Sequence, residues 1–148
     1  MANVLIVYGS TTGNTEWVAG QLSEQIKAKG HTVESVKAGS ISPSGLCAGK
    51  DLVLFGCSTW GQDEIELQDD FIPLFEAFDS IGASGVKTAV FGCGDEDYTH
   101  FCGAVDAITD KLTALGSNVI GGKLKINGDP GDSAEAIKTW GQAVAAAI

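Results

Sequence analysis

Residues 4–30 read VLIVYGSTTGNTEWVAGQLSEQIKAKG, and this stretch decides the fold. Val4 to Tyr8 is an unbroken apolar, largely β-branched run that stops at Gly9-Ser10, the pattern of a strand buried on both faces in a parallel sheet. A loop of small residues follows. From Asn14 the period changes: Val18, Leu22 and Ile26 lie four apart, Glu16 sits in the first turn, and Gly30 marks the stop. Strand, loop and helix in about 30 residues make the first half of a βαβ unit.

Outward from that unit the plan repeats. Thr32 to Val36 predicts a short strand, Ser40 to Lys50 is rich in turn residues, and Asp51 to Cys57 is a second continuous apolar strand ending in Ser58-Thr59-Trp60-Gly61. Leu67, Phe71, Leu74, Phe75 and Phe78 have helical spacing, with Pro73 expected to kink or shorten the element. Val86 to Cys93 predicts a third buried strand, and Phe101, Val105, Ile108, Leu112 and Leu115 an amphipathic helix stopped by Gly116. Asn118 to Ile126 supplies a last strand. A turn cluster at 127–131 then leads into a terminal helix that starts near Ser133. Five alternations without an interior linker or repeat predict an α/β chain: a doubly wound parallel sheet, helices on both faces, in one domain over 1–148.

Ligands of such sheets bind outside the carboxyl ends of the strands. Three loops leave that edge: Gly9 to Thr15, Cys57 to Glu66, and Cys93 to Cys102.

Composition narrows what those loops can do. The 148 residues carry 19 acids against 9 cations, a formal charge of −10, and every cation is a lysine. Without arginine the chain has no guanidinium clamp for phosphate or guanine, and its acidity argues against nucleic acid and anionic membrane. Basic partners are the natural expectation. Hydrophobic residues make up 44%, so the acidity is not the signature of disorder. Cys47, Cys57, Cys93 and Cys102 form no Cys-x-x-Cys pair, and His31 and His100 stand far apart, so neither a zinc site nor a dithiol motif is indicated. The amino terminus lacks a signal peptide's features and no apolar run approaches the ~20 residues of a membrane span, which reads as a cytoplasmic protein.

The loop Ser10-Thr11-Thr12-Gly13-Asn14-Thr15 joins a buried strand to a helix start with four hydroxyls, one amide and no charge. Unpaired amides and the helix dipole suit it to an anion, and Gly13 lets the backbone curl around one. It has neither the Gly-Lys-Ser/Thr of a triphosphate site nor Gly-x-Gly-x-x-Gly, so a terminal monophosphate fits better. The competing reading is an ordinary helix cap whose hydroxyls satisfy backbone donors. In Ser58-Thr59-Trp60-Gly61 a large aromatic stands at the tip of a strand, and Tyr98 stands in the corresponding loop after the next one. Two such rings can sandwich a flat heterocycle. Alternatively, Trp60 covers a helix beginning near Glu66 and Tyr98 caps the helix that follows it.

Together the three loops resemble those of flavodoxins, of the short-chain kind found in sulfate-reducing, Desulfovibrio-like bacteria, and the likeness spans essentially the whole chain. It implies a five-stranded parallel sheet of order 2-1-3-4-5 holding flavin mononucleotide (FMN) non-covalently. Ser10 to Thr15, with Ser58, would hold the phosphate. Thr59, Trp60 and Gly61 would form one ring loop, and Cys93, Gly94, Asp95, Tyr98, Phe101 and Cys102 the other. Trp60 and Tyr98 would lie on opposite faces of the ring, with backbone donors of Asp95 and Cys102 at its pyrimidine edge. Gln62 and His100 depart from the residues common at those places, an acid and an aromatic.

The function so implied is a low-potential one-electron carrier working between semiquinone and hydroquinone, and no bond-making catalyst. The chain shows no arginine and no histidine–carboxylate pair suited to catalysis. Gly61 is expected to turn its carbonyl toward flavin N5, a flip that glycine tolerates. Asp63, Glu64, Glu66, Asp69, Asp70, Asp95, Glu96 and Asp97 are expected to disfavour the anionic reduced flavin and to steer basic or basic-patched redox proteins such as cytochromes, oxidoreductases or a hydrogenase. A monomer is the default. The main rival is an FMN-dependent NAD(P)H or quinone reductase on the same fold; a phospho-accepting receiver domain would need acids where the strand ends read Gly9-Ser10 and Cys57-Ser58.

Overall fold

The computed structural model describes residues 2–9, 13–60, 66–67, 70–94 and 102–148. Seven strands appear in chain order: β1 (Asn3–Gly9), β2 (Thr32–Lys37), β3 (Leu52–Cys57), β4 (Thr59–Trp60), β5 (Glu66–Leu67), β6 (Lys87–Gly94) and β7 (Asn118–Asn127). The α-helices are α1 (Asn14–Lys27), α2 (Ile72–Glu76), α3 (Gly103–Ala114) and α4 (Ala134–Ala146). Five strands form one parallel sheet in the order β2-β1-β3-β6-β7, which is 2-1-3-4-5 when only those strands are counted.

The alternation of side chains along the central strands sorts the core into two layers. Leu5, Val7, Val53, Phe55 and Val90 face α2 and α3, where Phe71, Leu74, Phe78, Val105, Ile108 and Leu112 complete a cluster. Val4, Ile6, Leu52, Leu54, Ala89 and Phe91 face α1 and α4 and meet Val18, Leu22, Ile26, Ile137 and Val144. β1 and β3 are therefore apolar at nearly every position, whereas the edge strand β2 is largely exposed. Gly56 in β3 leaves room for the Phe91 ring, which a Cβ there would meet at 2.3 Å.

One expectation needs correction. Leu67 does not open a helix: it pairs with Thr59, and Glu66 with Trp60, in a small antiparallel ladder. The helix begins only at Ile72, with Pro73 in its first two positions, where the missing amide costs nothing. A 3-10 turn at Phe78–Ser80 follows. Between β2 and β3 the described chain forms a 3-10 turn, Ala38–Ser40, and further turns without an α-helix. The other edge strand, β7, carries a bulge: Thr88 pairs with Val119 but Val90 with Lys123, and Gly121 and Gly122 take φ of 79° and 69° there. The indole N–H of Trp140 donates to the Gly121 carbonyl at 2.7 Å and ties the bulge to α4. Among the described residues no helix is long and apolar enough to cross a membrane.

Candidate functional site

Parallel pairing brings the carboxyl ends of four strands to one edge. Gly9 lies beside Cys57, and Gly94 beside Asn127. The segments after β1, β3, β6 and β7 therefore start from adjacent positions.

At the β1–β3 end, Gly13 is the residue before α1, in the left-handed region at φ 93°, with nothing within 4 Å of where a Cβ would stand. Open space does not help a substituent here, because an L side chain is strained in that conformation. The Gly13 carbonyl accepts the Trp17 amide at 2.9 Å, so the helix is hydrogen-bonded from its first turn. The first amides of α1 have no intrahelical acceptor. Thr15, in that turn, is fully buried, and its Oγ1 lies 2.7 Å from Oγ of Ser58. One hydrogen serves that contact, so one of the two hydroxyls keeps a hydrogen to donate elsewhere. The Cys57 thiol donates to the Ser58 carbonyl at 3.3 Å and holds the turn after β3. Cys93 lies beside the Thr15 hydroxyl, and burial pushes its thiol up to about 11, so it stays protonated at neutral pH. Behind these groups the Tyr8 hydroxyl is held above its ordinary pKa by burial and by the Glu16 carboxylate to which it donates.

At the β6–α3 end the backbone is tightly confined. The Gly94 carbonyl accepts the Gly128 amide at 3.0 Å, and a Cβ on Gly94 would stand 3.1 Å from both N and Sγ of Cys102. Cys102 is the one described non-glycine residue at positive φ, 49°, and it precedes the first turn of α3. Its thiol donates toward the carbonyls of Gly92 and Ile126, each at 3.7 Å. Burial pushes that thiol up to about 12. A β-branch-free sulfur side chain anchored on two strands holds a backbone conformation that costs energy, which is the kind of strain found where a chain must present its amide to a ligand.

The structure thus brings Gly13, Asn14, Thr15 and Ser58 together, and separately Cys93, Gly94 and Cys102. Thr59 and Trp60 are found in β4, shortly after β3, and Glu66 pairs with Trp60 in β5 rather than opening a helix. Ser10, Thr11, Thr12, Gly61, Asp95, Tyr98 and Phe101 lie outside the described residues, as do Gln62, His100 and the acids Asp63, Glu64, Asp69, Glu96 and Asp97.

Two features escaped the sequence reading. The segment after β7 reaches the same edge: besides the Gly128 contact, Asp129 accepts the Gly131 amide at 2.9 Å and shapes the turn. Its Asn-Gly-Asp-Pro-Gly composition signalled a turn but not its location. The second is a pair of lysines on one carboxylate, Lys123 and Lys125 with Asp106, at 2.8 and 2.9 Å. Alternate lysines on a strand opposite an acid in a helix's first turn were the available signal.

Chemically, the first cluster offers hydroxyl and amide donors to an anion, and the second offers a narrow backbone-lined edge to a flat polar rim. Among the described residues no group of histidine, cysteine and carboxylate side chains is placed to hold a metal.

Comparison with known proteins gives the family to which the chain is similar. The family model described as Flavodoxin matches residues 6–140. A flavodoxin of Nitratidesulfovibrio vulgaris is 55% identical over 148 residues, covering 100% of both chains. One of Maridesulfovibrio salexigens is 53% identical over 145 residues, covering 98% of each. Among solved structures, oxidised flavodoxin 1 of Bacillus cereus superposes with a TM-score of 0.90 at 27% identity, covering 99% of each chain.

Proposed function

The chain belongs to the flavodoxin family, and from that membership we propose how its residues hold FMN and serve electron transfer. The protein is an FMN-binding electron carrier rather than an enzyme, and it passes electrons to redox partners. Bound FMN supplies the reversible one-electron chemistry. The residues fit that group: Thr15 and Ser58 form a hydroxyl pair with a hydrogen to spare at a helix amino terminus, and Gly94 lets the Cys102 backbone approach where a Cβ would crowd its amide.

The buried Thr15–Ser58 contact is the observation that carries the assignment. It joins the first two loops into one anion cradle, in which Ser10, Thr11, Thr12, Asn14, Thr15 and Ser58 hold the phosphate and Gly13 lets the chain turn around it. Trp60 and Tyr98 would cover the two faces of the ring, with Thr59 and Gly61 alongside. The Gly61 carbonyl would be available to accept a hydrogen from N5. Cys93, Gly94, Asp95, Phe101 and Cys102 border the pyrimidine edge, with the strained Cys102 presenting its amide. The partners are basic or basic-patched proteins, such as cytochromes, oxidoreductases or a hydrogenase, met by a monomeric single-domain carrier in the cytoplasm.

A visible spectrum followed through stepwise anaerobic reduction tests the reading. The expected result is a yellow protein that turns blue after one electron and pale after two, releasing FMN on denaturation. A colourless protein that takes up no added FMN would overturn it. Steady oxidation of NAD(P)H by the protein alone would instead establish the reductase reading.

A further inference from the structure

Cys93 is the last buried residue of β6, in the layer beneath α1 that it shares with Tyr8, Val18 and Ile126. It is 4% exposed and Thr15 on α1 is 0% exposed, whereas Ser58, just beyond β3, is only half-buried. β3 and β6 pair Gly56 with Phe91, and a Cβ on Gly92 would press on the Cys57 carbonyl. Ser58 and Cys93 therefore leave adjacent strands side by side. Three polar groups from three elements meet there: the Thr15 hydroxyl lies 2.7 Å from that of Ser58 and is also hydrogen-bonded to the Cys93 thiol.

The count of hydrogens gives this row a direction. Thr15 and Ser58 each have one hydrogen and two lone pairs, and a thiol has one hydrogen and a weakly accepting sulfur. Running from Ser58 through Thr15 to sulfur, the row would spend both hydroxyl hydrogens inside the protein and end on the poorest acceptor. Running the other way, sulfur donates to Thr15, Thr15 donates to Ser58, and the Ser58 hydrogen is left over. It belongs to the member of the row that reaches the surface. Cys93 can begin the row because burial holds its thiol up to about 11, so it is protonated at neutral pH. The Cys57 thiol donates to the Ser58 carbonyl at 3.3 Å and fixes the backbone from which that hydroxyl projects. Hydrogen bonds aligned in one sense polarise one another, and an anionic phosphate, which only accepts, needs a hydrogen directed outward.

We propose that Cys93 is a positioning residue for the phosphate of FMN: its thiol donates to Thr15, which turns the Thr15 hydrogen onto Ser58 and the Ser58 hydrogen outward to the anion. The inference rests on the FMN reading above. Cys93 then acts on the phosphate through two other residues, without touching it.

The test titrates FMN and riboflavin into the full-length protein and reads the ratio of their dissociation constants. Cys93 also borders the ring in the reading above, but any change there is common to both flavins and cancels in the ratio. Cys93→Ala should lower the preference for FMN about 2- to 12-fold, the worth of one hydrogen bond. Cys93→Ser should recover most of that loss. Both variants remove the bulk of the sulfur and only serine returns a donor, so a packing role would affect the two alike. A preference unchanged in Cys93→Ala, or lowered equally in both, overturns the proposal. If Cys93→Ala does not fold, Cys93→Val, which fills the space without a donor, takes its place. In a Ser58→Ala background Cys93→Ala should lower the preference no further, because no hydrogen remains to be aimed; a further loss of the same size also overturns it. A wild-type protein that takes up neither flavin, or holds both equally, would instead remove the phosphate reading on which the inference stands.

Discussion

Thr15 buries its hydroxyl completely, in a helix whose other buried positions are mostly apolar. A buried hydroxyl is tolerated because Ser58 meets it at 2.7 Å. Thr15→Val keeps the shape and removes the hydrogen bond, so it should weaken FMN by about 1.5–3 kcal/mol, the worth of a hydrogen bond to a charged group. Riboflavin, which lacks the phosphate, should bind the variant as well as it binds the wild type; equal losses in a titration of both ligands would place Thr15 elsewhere. Thiol chemistry at this scale concerns stability. Cys47, Cys93 and Cys102 are held up to about 11, about 11 and about 12 by burial, above the 9.0 of a free thiol. The folded state therefore keeps protons that the unfolded chain releases first. Their contribution is complete below about pH 9 and is lost as the pH rises toward 11–12. Chemical denaturation at pH 8 and pH 10.5 should show that loss, and a Cys47→Ala variant should show less of it.

Among the elements, α3 shows how far local sequence reaches. Its stop at Gly116 was legible because a left-handed residue after a helix is nearly always glycine. The structure gives φ 86°, with Gly116 N–H bonded to Thr113 and Ser117 N–H to Leu112 at 3.1 and 3.0 Å. Gly116→Ala should cost about 1 kcal/mol, since strain in the folded chain outweighs the smaller gain from stiffening the unfolded one, and a denaturant titration with unchanged slope would register it. The segment from Leu67 to Phe78 marks the limit. Phe71, Leu74 and Phe78 are buried as their spacing demanded, and Phe55, Phe71 and Phe78 pack with ring centroids 5.2 to 6.3 Å apart. The spacing measured burial, however, and not helix. Leu67 belongs to a ladder with Thr59, a cross-strand pairing that no helical period encodes. The same reason hid the Asp106 triad, formed across 17 and 19 residues. The loops of the site were legible because chain order fixes which strand ends they follow; their contacts, such as Thr15 with Ser58 across 43 residues, were visible only as a collection of hydroxyls.

At the scale of the molecule, charge is unevenly spread along the sequence between segments that follow strands and segments that precede them. Segments 10–15, 58–71, 95–102 and 127–132 contain ten acids and no lysine. Lys27 lies in the last turn of α1 and Lys29 follows it, Lys50 shortly precedes β3, Lys87 starts β6, and Lys111 lies in the last turn of α3, so five of the nine lysines belong to the opposite edge. From that distribution we expect a dipole as well as an anion, with its acidic pole at the edge of the proposed site. Oxidation of the reduced protein by a basic c-type cytochrome should slow as salt rises, and oxidation by ferricyanide, an anion, should quicken. Net charge alone predicts both trends. The dipole predicts more: Asp129→Asn/Asp132→Asn, which removes two charges at the acidic pole, should slow the cytochrome reaction several-fold at low salt, because electrostatic steering acts over about a Debye length. Lys29→Gln/Lys50→Gln changes net charge by the same amount with opposite sign at the far pole, and should leave the rate almost unchanged. Equal and opposite effects in stopped-flow traces of the two variants would show that the partner feels only the total of −10, and that the arrangement of charge along the strands does not orient the encounter.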